Sequence, residues 1–502
     1  MQKERQNGEA LKAVLDRHSA DSGILFSYVL HKTGLLMELK AATTLEDIYQ
    51  TLSPEPLLDE SQIRAFYKEE INAVRGGDKI AHIALGLNRS YRGAFYKAFM
   101  MGHPGVGKST ELTRLSYQMQ DKFQTIRFSA ISDLDAAGFK PFDVLLVMMT
   151  RVVEETQQVT QQQPPQKLLK DIQQWFATEK FTDIKETRAE ASASAGVGPK
   201  ADSGWASLLG LFAHIKGELK YTADRKKEVV EYRLHRLSSL IELVNLAFDE
   251  CNLLLQQSHG REWLFIGEDF DKPGIPFEQT ESLFINYANV FKDLRTHLIF
   301  NIPISLVYSE RGAQLPFSGD RVHCINDTPV FHQDHTPHQP GRRALQSVLQ
   351  ARVIPELFEG EQMTDLIVAS GGNLRDLFQM TAQAADNAIL RGSDKISKAD
   401  TEASINNLRT EYERRLGESP YDEEKVNKIS YEMKAERLKS IYEADPVAKV
   451  PAPVLYSLLR ARAVQEFNGQ RWFGVHPLVV DILRMQGKLV PDAEGNIPGG
   501  TN

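Results

Sequence analysis

Residues 102–109, GHPGVGKS, constrain this chain more than any other stretch. A glycine, four residues and then Gly-Lys-Ser is the spacing of a loop that wraps phosphate. The glycines let successive backbone N–H groups turn inward around an anion. The flanks agree: an apolar strand, YKAFMMG, enters the loop from Tyr96, and KSTELTRLSYQMQ after it reads as a helix. That helix points its positive dipole end at the same anion. A chance match in a glycine-rich turn would not bring both flanks. The candidate nucleotide contacts are therefore Gly102, His103, Pro104, Gly105, Val106, Gly107, Lys108, Ser109 and Thr110. Lys108 would reach the β- and γ-phosphates and the Ser109 hydroxyl would bind Mg²⁺, so ATP and Mg²⁺ are the expected cofactors.

Such a loop needs acids beside its metal. The stretch WLFIGEDFDKP, Trp263 to Pro273, carries an apolar strand to its end and then loads it with Glu268, Asp269 and Asp271. Open α/β sheets bind ligands at the carboxyl ends of their strands, which places these acids at the loop rather than on a plain surface turn. Glu268 is the expected metal ligand with Ser109, and Asp269 the expected polariser of attacking water. Asp271 is expected to cap the next element. Glu268 follows Lys108 by 160 residues (268 − 108), long for a minimal nucleotide fold, so a mostly helical insertion is expected over about 156–256.

Further candidates follow the acids. The next strand, in THLIFNIPISLVYSE, would bring Asn301 to the same carboxyl edge, where it could hold water or the γ-phosphate; a plain strand-end Asn before a Pro turn is the other reading. Arg295 and Arg311 flank that strand, as arginine fingers for a neighbouring subunit or as solvated, paired arginines. In SGGNLRDLF a helix starts with Arg375 in its first turn, where a cation opposes the macrodipole and wants an anion. A phosphate would supply one; Asp376 or Asp365 would be the alternative partner.

These pieces occur in a telling order: a GxxxxGKS loop, an acidic strand end, a polar strand end and GGNLRDL. Together they resemble the AAA+ ATPases, especially the origin-recognition and archaeal-ATPase branch with its STAND-like relatives. GHPGVGKSTEL and SGGNLRDLF are similar to bacterial ATPases of that branch, many of them in anti-phage defence or regulation. The resemblance covers about 46–410 well and continues more weakly to about 487. In the family's pattern two acids follow four apolar residues; here Gly267 takes the last apolar place and Glu268 the usual Asp place, which blurs the division of roles. The resemblance implies that Arg375 is the sensor-2 arginine of a helical lid and Asn301 the sensor-1 residue. It also implies adenine contacts around Tyr67 to Gly77.

The rest of the chain is read for organisation. SQIRAFYKEEINAVR (61–75) spaces apolar residues along one helical face, Gly76-Gly77 stops it, and Asp78 can cap the next helix. QTIRFSA (124–130) is an expected strand and 142–155 an expected helix. Residues 157–166 read as a loop, 187–204 as a mobile stretch and 225–257 as one long helix. Near the end, AVQEF-NG-QRWFGV carries Asn468-Gly469 as a hairpin signal, and Pro477 opens a helix. Helix, hairpin and helix look like a winged-helix domain, with Trp472 and His476 as packing residues. From 453 to 502 five basic residues face four acidic ones, a net of +1, so DNA reading by this wing is not indicated.

Composition sets the frame. A chain of 502 residues is too long for one core. The expected fold class is α/β: a P-loop NTPase core with a parallel sheet, a helical lid and a C-terminal winged-helix-like domain. The expected division is 1–45 as helical extension, 46–330 as core, 331–410 as lid, 411–490 as winged helix and 491–502 as tail. Net charge is −8, which argues against a chain that coats nucleic acid. The two cysteines, Cys251 and Cys324, make no CxxC pair, and no signal-peptide core or bilayer-length apolar run is found. The expectation is a cytoplasmic ATPase switch that forms homo-oligomers or controls a partner protein. The alternatives are a DNA-remodelling ATPase and an ATP-binding scaffold without turnover.

Overall fold

Five short apolar segments form one parallel sheet in this computed structural model. β1 (Lys97–Met101), β2 (Phe123–Ser129), β3 (Glu262–Glu268), β4 (His297–Asn301) and β5 (Val322–Cys324) lie in the order β2-β3-β4-β1-β5. Every pairing is parallel. The structure describes residues 39–177, 203–222, 225, 227–417, 428–467, 472–490 and 498–501. The chain divides into two units, Met1–Lys40 and Ala41–Asn502, and the sheet belongs to the second.

β3 and β4 are buried at every position, which is why they read as continuous apolar runs. Their side chains still alternate between two faces. Ala98, Met100, Leu264, Ile266 and Ile299 pack with Ile80, Ile83, Leu87 and Leu112. Phe99, Phe265, Leu298 and Phe300 enter the other cluster with Val147 and Phe248. The first face is covered by α1 (Lys79–Ser90) and α2 (Lys108–Met119). On the second face α3 (Pro141–Thr160) packs against a long helix that closes the insertion. After α3 come α4 (Gln166–Ala177), α5 (Ser203–Lys220), α6 (Lys227–His235) and that helix, α7 (Leu237–His259). β1 leaves toward β2 on one side and its neighbour β4 leaves toward β5 on the other. Such a reversal opens a crevice at the carboxyl ends of the two strands.

The helices differ from expectation in three places. α3 runs on to Thr160, through residues that read as loop, because glutamine favours helix and Thr156 and Thr160 face inward; Gln161, at φ 56, stops it. The segment expected as one helix over 225–257 is two, broken at Arg236. Residues 61–75 are also two short helices, Glu60–Phe66 and Glu70–Val74, with Tyr67 extended between them. A tertiary bond explains that break: the Tyr67 hydroxyl donates to Glu111 Oε1 on α2 at 2.9 Å. Asp78 caps α1 as expected, accepting from the Ile80 and Ala81 amides. Most of the 187–204 stretch lies outside the described residues.

After β5 the chain is helical: α8 (Gln339–Gln350), α9 (Gln362–Ala369), α10 (Leu374–Leu390), α11 (Lys398–Leu416), α12 (Tyr431–Tyr442) and α13 (Pro453–Arg460). β6 (Val464–Phe467) and β7 (Trp472–Val475) then pair antiparallel, and α14 (Pro477–Met485) follows with proline in its first turn. The Asn468-Gly469 turn lies outside the described residues. Cys251 and Cys324 are free and buried. No described helix is long and apolar enough to cross a membrane.

Candidate functional site

The loop after β1 has the backbone its glycines permit. Gly102, Gly105 and Gly107 stand at φ 144, 94 and 99. Gly105 is needed for a second reason: a Cβ there would lie 2.4 Å from Asn373 Oδ1 and 2.7 Å from the Arg375 Cβ. Lys108 opens α2 and is only 6% exposed. Its ammonium donates to the carbonyls of Gly102 and His103, each at 2.8 Å, and meets Asp271 Oδ2 at 2.7 Å. Thr110 turns away from the loop, its hydroxyl accepting from the Leu57 amide at 3.1 Å.

The three acids after β3 have three different partners. Glu268 accepts from Arg127 Nε at 2.5 Å. Arg127, on β2, also donates to Thr113 Oγ1 at 2.6 Å and to the Ser109 carbonyl at 3.3 Å, so it ties Glu268 to the first turns of α2. Asp269 stands at φ 65, a conformation that a non-glycine residue holds only when its surroundings impose it. Its Oδ2 accepts from Ser129 Oγ at 2.6 Å, and Lys272 lies 3.6 Å from its Oδ1. Phe270, between the two aspartates, is fully buried against Phe128, Phe139, Phe284 and Phe300 and pins the turn. Asp271 does not cap the next element, as the sequence suggested. The next helix, Phe277–Glu281, starts after Pro276 with no side-chain cap, and Asp271 instead pairs with Lys108.

Asn301 ends β4 opposite Met100 of β1, at the carboxyl edge. It is 2% exposed, and its Oδ1 has no hydrogen-bond partner among the described residues. A buried orphan acceptor of this kind is uncommon and calls for an occupant. Arg375 lies at the loop: its backbone N–H donates to the Gly105 carbonyl at 3.2 Å. Asp376, the neighbour the sequence offered Arg375 as a partner, is taken by Arg462. The two finger candidates lie apart from this cluster. Arg295 precedes β4, at the amino end of the sheet, and pairs with Asp249. Arg311 donates to Glu281 at 2.9 Å and to Asn286 at 2.7 Å. In the Tyr67–Gly77 stretch Arg75 is buried, donates to Thr328 Oγ1 at 3.0 Å and accepts from Asn326 at its carbonyl.

One network was invisible in the sequence. His103 Nδ1 lies 2.7 Å from Asp327 Oδ2, both buried. Asn373 caps α10 and donates to the Pro104 carbonyl and to Asp327 Oδ1. Arg462, which follows α13, donates to the same Pro104 carbonyl at 3.1 Å and to both oxygens of Asp376 at 2.7 and 2.8 Å. Tyr412 donates to Asp376 Oδ2 and stacks on His476, whose Nε2 lies 3.1 Å from the Ser370 carbonyl. Burial pushes the Asp376 carboxyl up, but the Arg462 charge, His476 and the hydrogen bonds from Arg462 and Tyr412 together outweigh it and hold the group below the usual carboxylate range. Burial pushes His476 down to about 4.

Both shifts have the same sign for stability. The unfolded chain takes up protons that these folded groups refuse, so stability is whole above about pH 6.5 and falls as the pH drops through 6.5 toward 4 and below. Arg462→Ala is expected to cost about 3–5 kcal/mol, because it leaves the Asp376 charge buried and unpaired. Denaturant melts at pH 7 check this; a variant as stable as wild type would remove the pair from the account.

The strand order, the glycine loop after β1 and the acids after β3 define a P-loop nucleotide-binding core of the α/β class. Solved structures of other proteins align with most of this chain at 10–12% identity. Cdc6p from Pyrobaculum aerophilum aligns over 90% of this chain and 94% of its own at 12% identity, with a TM-score of 0.36. The Aeropyrum pernix ORC1 protein in complex with DNA aligns over 84% and 88% at 12% identity and 0.35. A Walker-type ATPase of Pyrococcus abyssi aligns over 86% and 99% at 10% identity and 0.37. No family model matches the sequence, and a search of curated proteins matches none.

Proposed function

We propose that this protein is a cytoplasmic ATP-binding and hydrolysing switch that couples nucleotide state to self-assembly or to a partner protein. In this reading 46–330 is the ATPase core with its insertion, 331–410 the helical lid and 411–490 a winged-helix-like domain. A defence or regulatory setting comes from the resemblance to bacterial ATPases.

The residues fit MgATP. Lys108 is a buried cation held among loop carbonyls, and Asn301 Oδ1 is a buried acceptor without a partner among the described residues. Bound MgATP supplies the phosphoryl group and neutralises part of its charge. Ser109 and Glu268 would hold the metal, Asp269 would orient water and accept its proton, and Asn301 would keep that water in place. Arg375 adds positive charge from the lid.

The observation that carries the switch reading is the Pro104 carbonyl, which accepts from Asn373 at the start of α10 and from Arg462 beside α13. Lid and C-terminal domain thus touch the phosphate loop itself, and whatever moves the loop moves their anchor. Hydrogen exchange with ATP, with ADP and without nucleotide tests this. Protection of α13 and α14 is expected to change between the states; identical exchange in all three would leave an ATPase without a switch.

Assembly carries its own prediction. If Arg311 completes a neighbour's site, Arg311→Ala keeps ATP affinity and loses about 10³-fold in turnover, while wild-type activity per subunit rises with protein concentration. Arg295→Ala is the parallel variant. A flat dilution series with both variants fully active would mean that each subunit hydrolyses ATP alone.

A further inference from the structure

We infer that Asp271 is the counter-ion that makes nucleotide binding at this site depend on magnesium. The inference rests on the ATP-binding reading above and adds a role that reading does not contain. An ammonium group has three protons to donate. Lys108 spends them on the Gly102 carbonyl, the His103 carbonyl and Asp271. Two of those partners are the loop backbone and cannot leave. A phosphate oxygen that reaches Lys108 must therefore replace or crowd Asp271.

The other two acids face no such exchange. Arg127 balances Glu268, and Ser129 and Lys272 serve Asp269. Asp271 alone loses its cation when phosphate arrives. Its side chain is 4% exposed, so water screens little of the repulsion between carboxylate and phosphate. Without a metal, Asp271 opposes binding. Bound Mg²⁺ would offset that repulsion and make the same carboxylate attractive. The fixed position of the turn, pinned by Phe270, keeps Asp271 from swinging away to solvent.

The test is the affinity for fluorescently labelled ATP, measured with excess EDTA and with saturating Mg²⁺. Wild type, Asp271→Asn, Asp271→Glu and Lys108→Ala are compared. Asp271→Asn is expected to bind metal-free ATP about tenfold tighter than wild type and to lose most of the gain that Mg²⁺ gives. Asp271→Glu keeps the charge and retains the magnesium gain, which also covers the case in which the Asn variant fails to fold. A magnesium gain equal to wild type in Asp271→Asn overturns the inference. So does a loss of affinity that is the same with and without metal, since that would make Asp271 a brace for the loop. If wild type binds no ATP that Lys108→Ala abolishes, the ATP-binding reading itself fails, a result distinct from either.

Discussion

Lys108→Ala is expected to abolish measurable ATP binding, a loss of at least about 10³-fold. Two effects add. The variant removes the charge-assisted hydrogen bond to phosphate, worth about 1.5–3 kcal/mol. It also leaves Asp271 buried beside the phosphate site without its cation, so the site changes from balanced to repulsive. The second effect touches folding as well, because an unpaired buried carboxylate destabilises the free protein. The titration is therefore read beside a thermal melt, with Lys108→Met paired with Asp271→Asn as the variant that removes both charges. A folded Lys108→Ala protein with wild-type affinity would place nucleotide somewhere else.

Asp269→Asn is expected to leave ATP affinity within about threefold while turnover falls about 10²–10⁴-fold, the usual reach of a lost general base. The backbone makes this a clean substitution. Asp269 stands at φ 65, and asparagine accepts that left-handed region as readily as aspartate does. The Ser129 hydroxyl can donate to the new amide oxygen as it does to the carboxylate. What changes is the charge that draws a proton from water. Single-turnover rates at saturating ATP separate this from weak binding. If Glu268→Gln stops turnover and Asp269→Asn does not, the two roles are reversed.

Much of the site was legible because its chemistry is local in sequence. A phosphate loop is read from eight consecutive residues, and the strand that ends in Glu268 from an apolar run and a change of charge. The capping of α1 by Asp78 was legible for the same reason. What escaped is set by partners far along the chain. Arg127 meets Glu268 across 141 positions, His103 meets Asp327 across 224 and Arg462 meets the Pro104 carbonyl across 358. No spacing rule spans such distances. Asp271 was misread because a short polar residue before a helix is usually a cap, and only the burial of Phe270 turns it toward Lys108. The misplaced end of α3 has the opposite cause: glutamines that look like loop continue a helix whose inward threonines have a core to meet.

The reach from Pro104 to Arg462 also bears on how the protein is made. A chain leaving the ribosome at about 5–20 residues per second presents its phosphate loop roughly 20–70 s before Arg462 emerges. Through most of that interval the outer turn of the loop lacks both of its restraints, and from the emergence of Asn373 until Arg462 follows it lacks one. A nascent or truncated chain ending short of residue 462 is thus a different nucleotide binder from the finished one, with the same loop sequence and a looser grip.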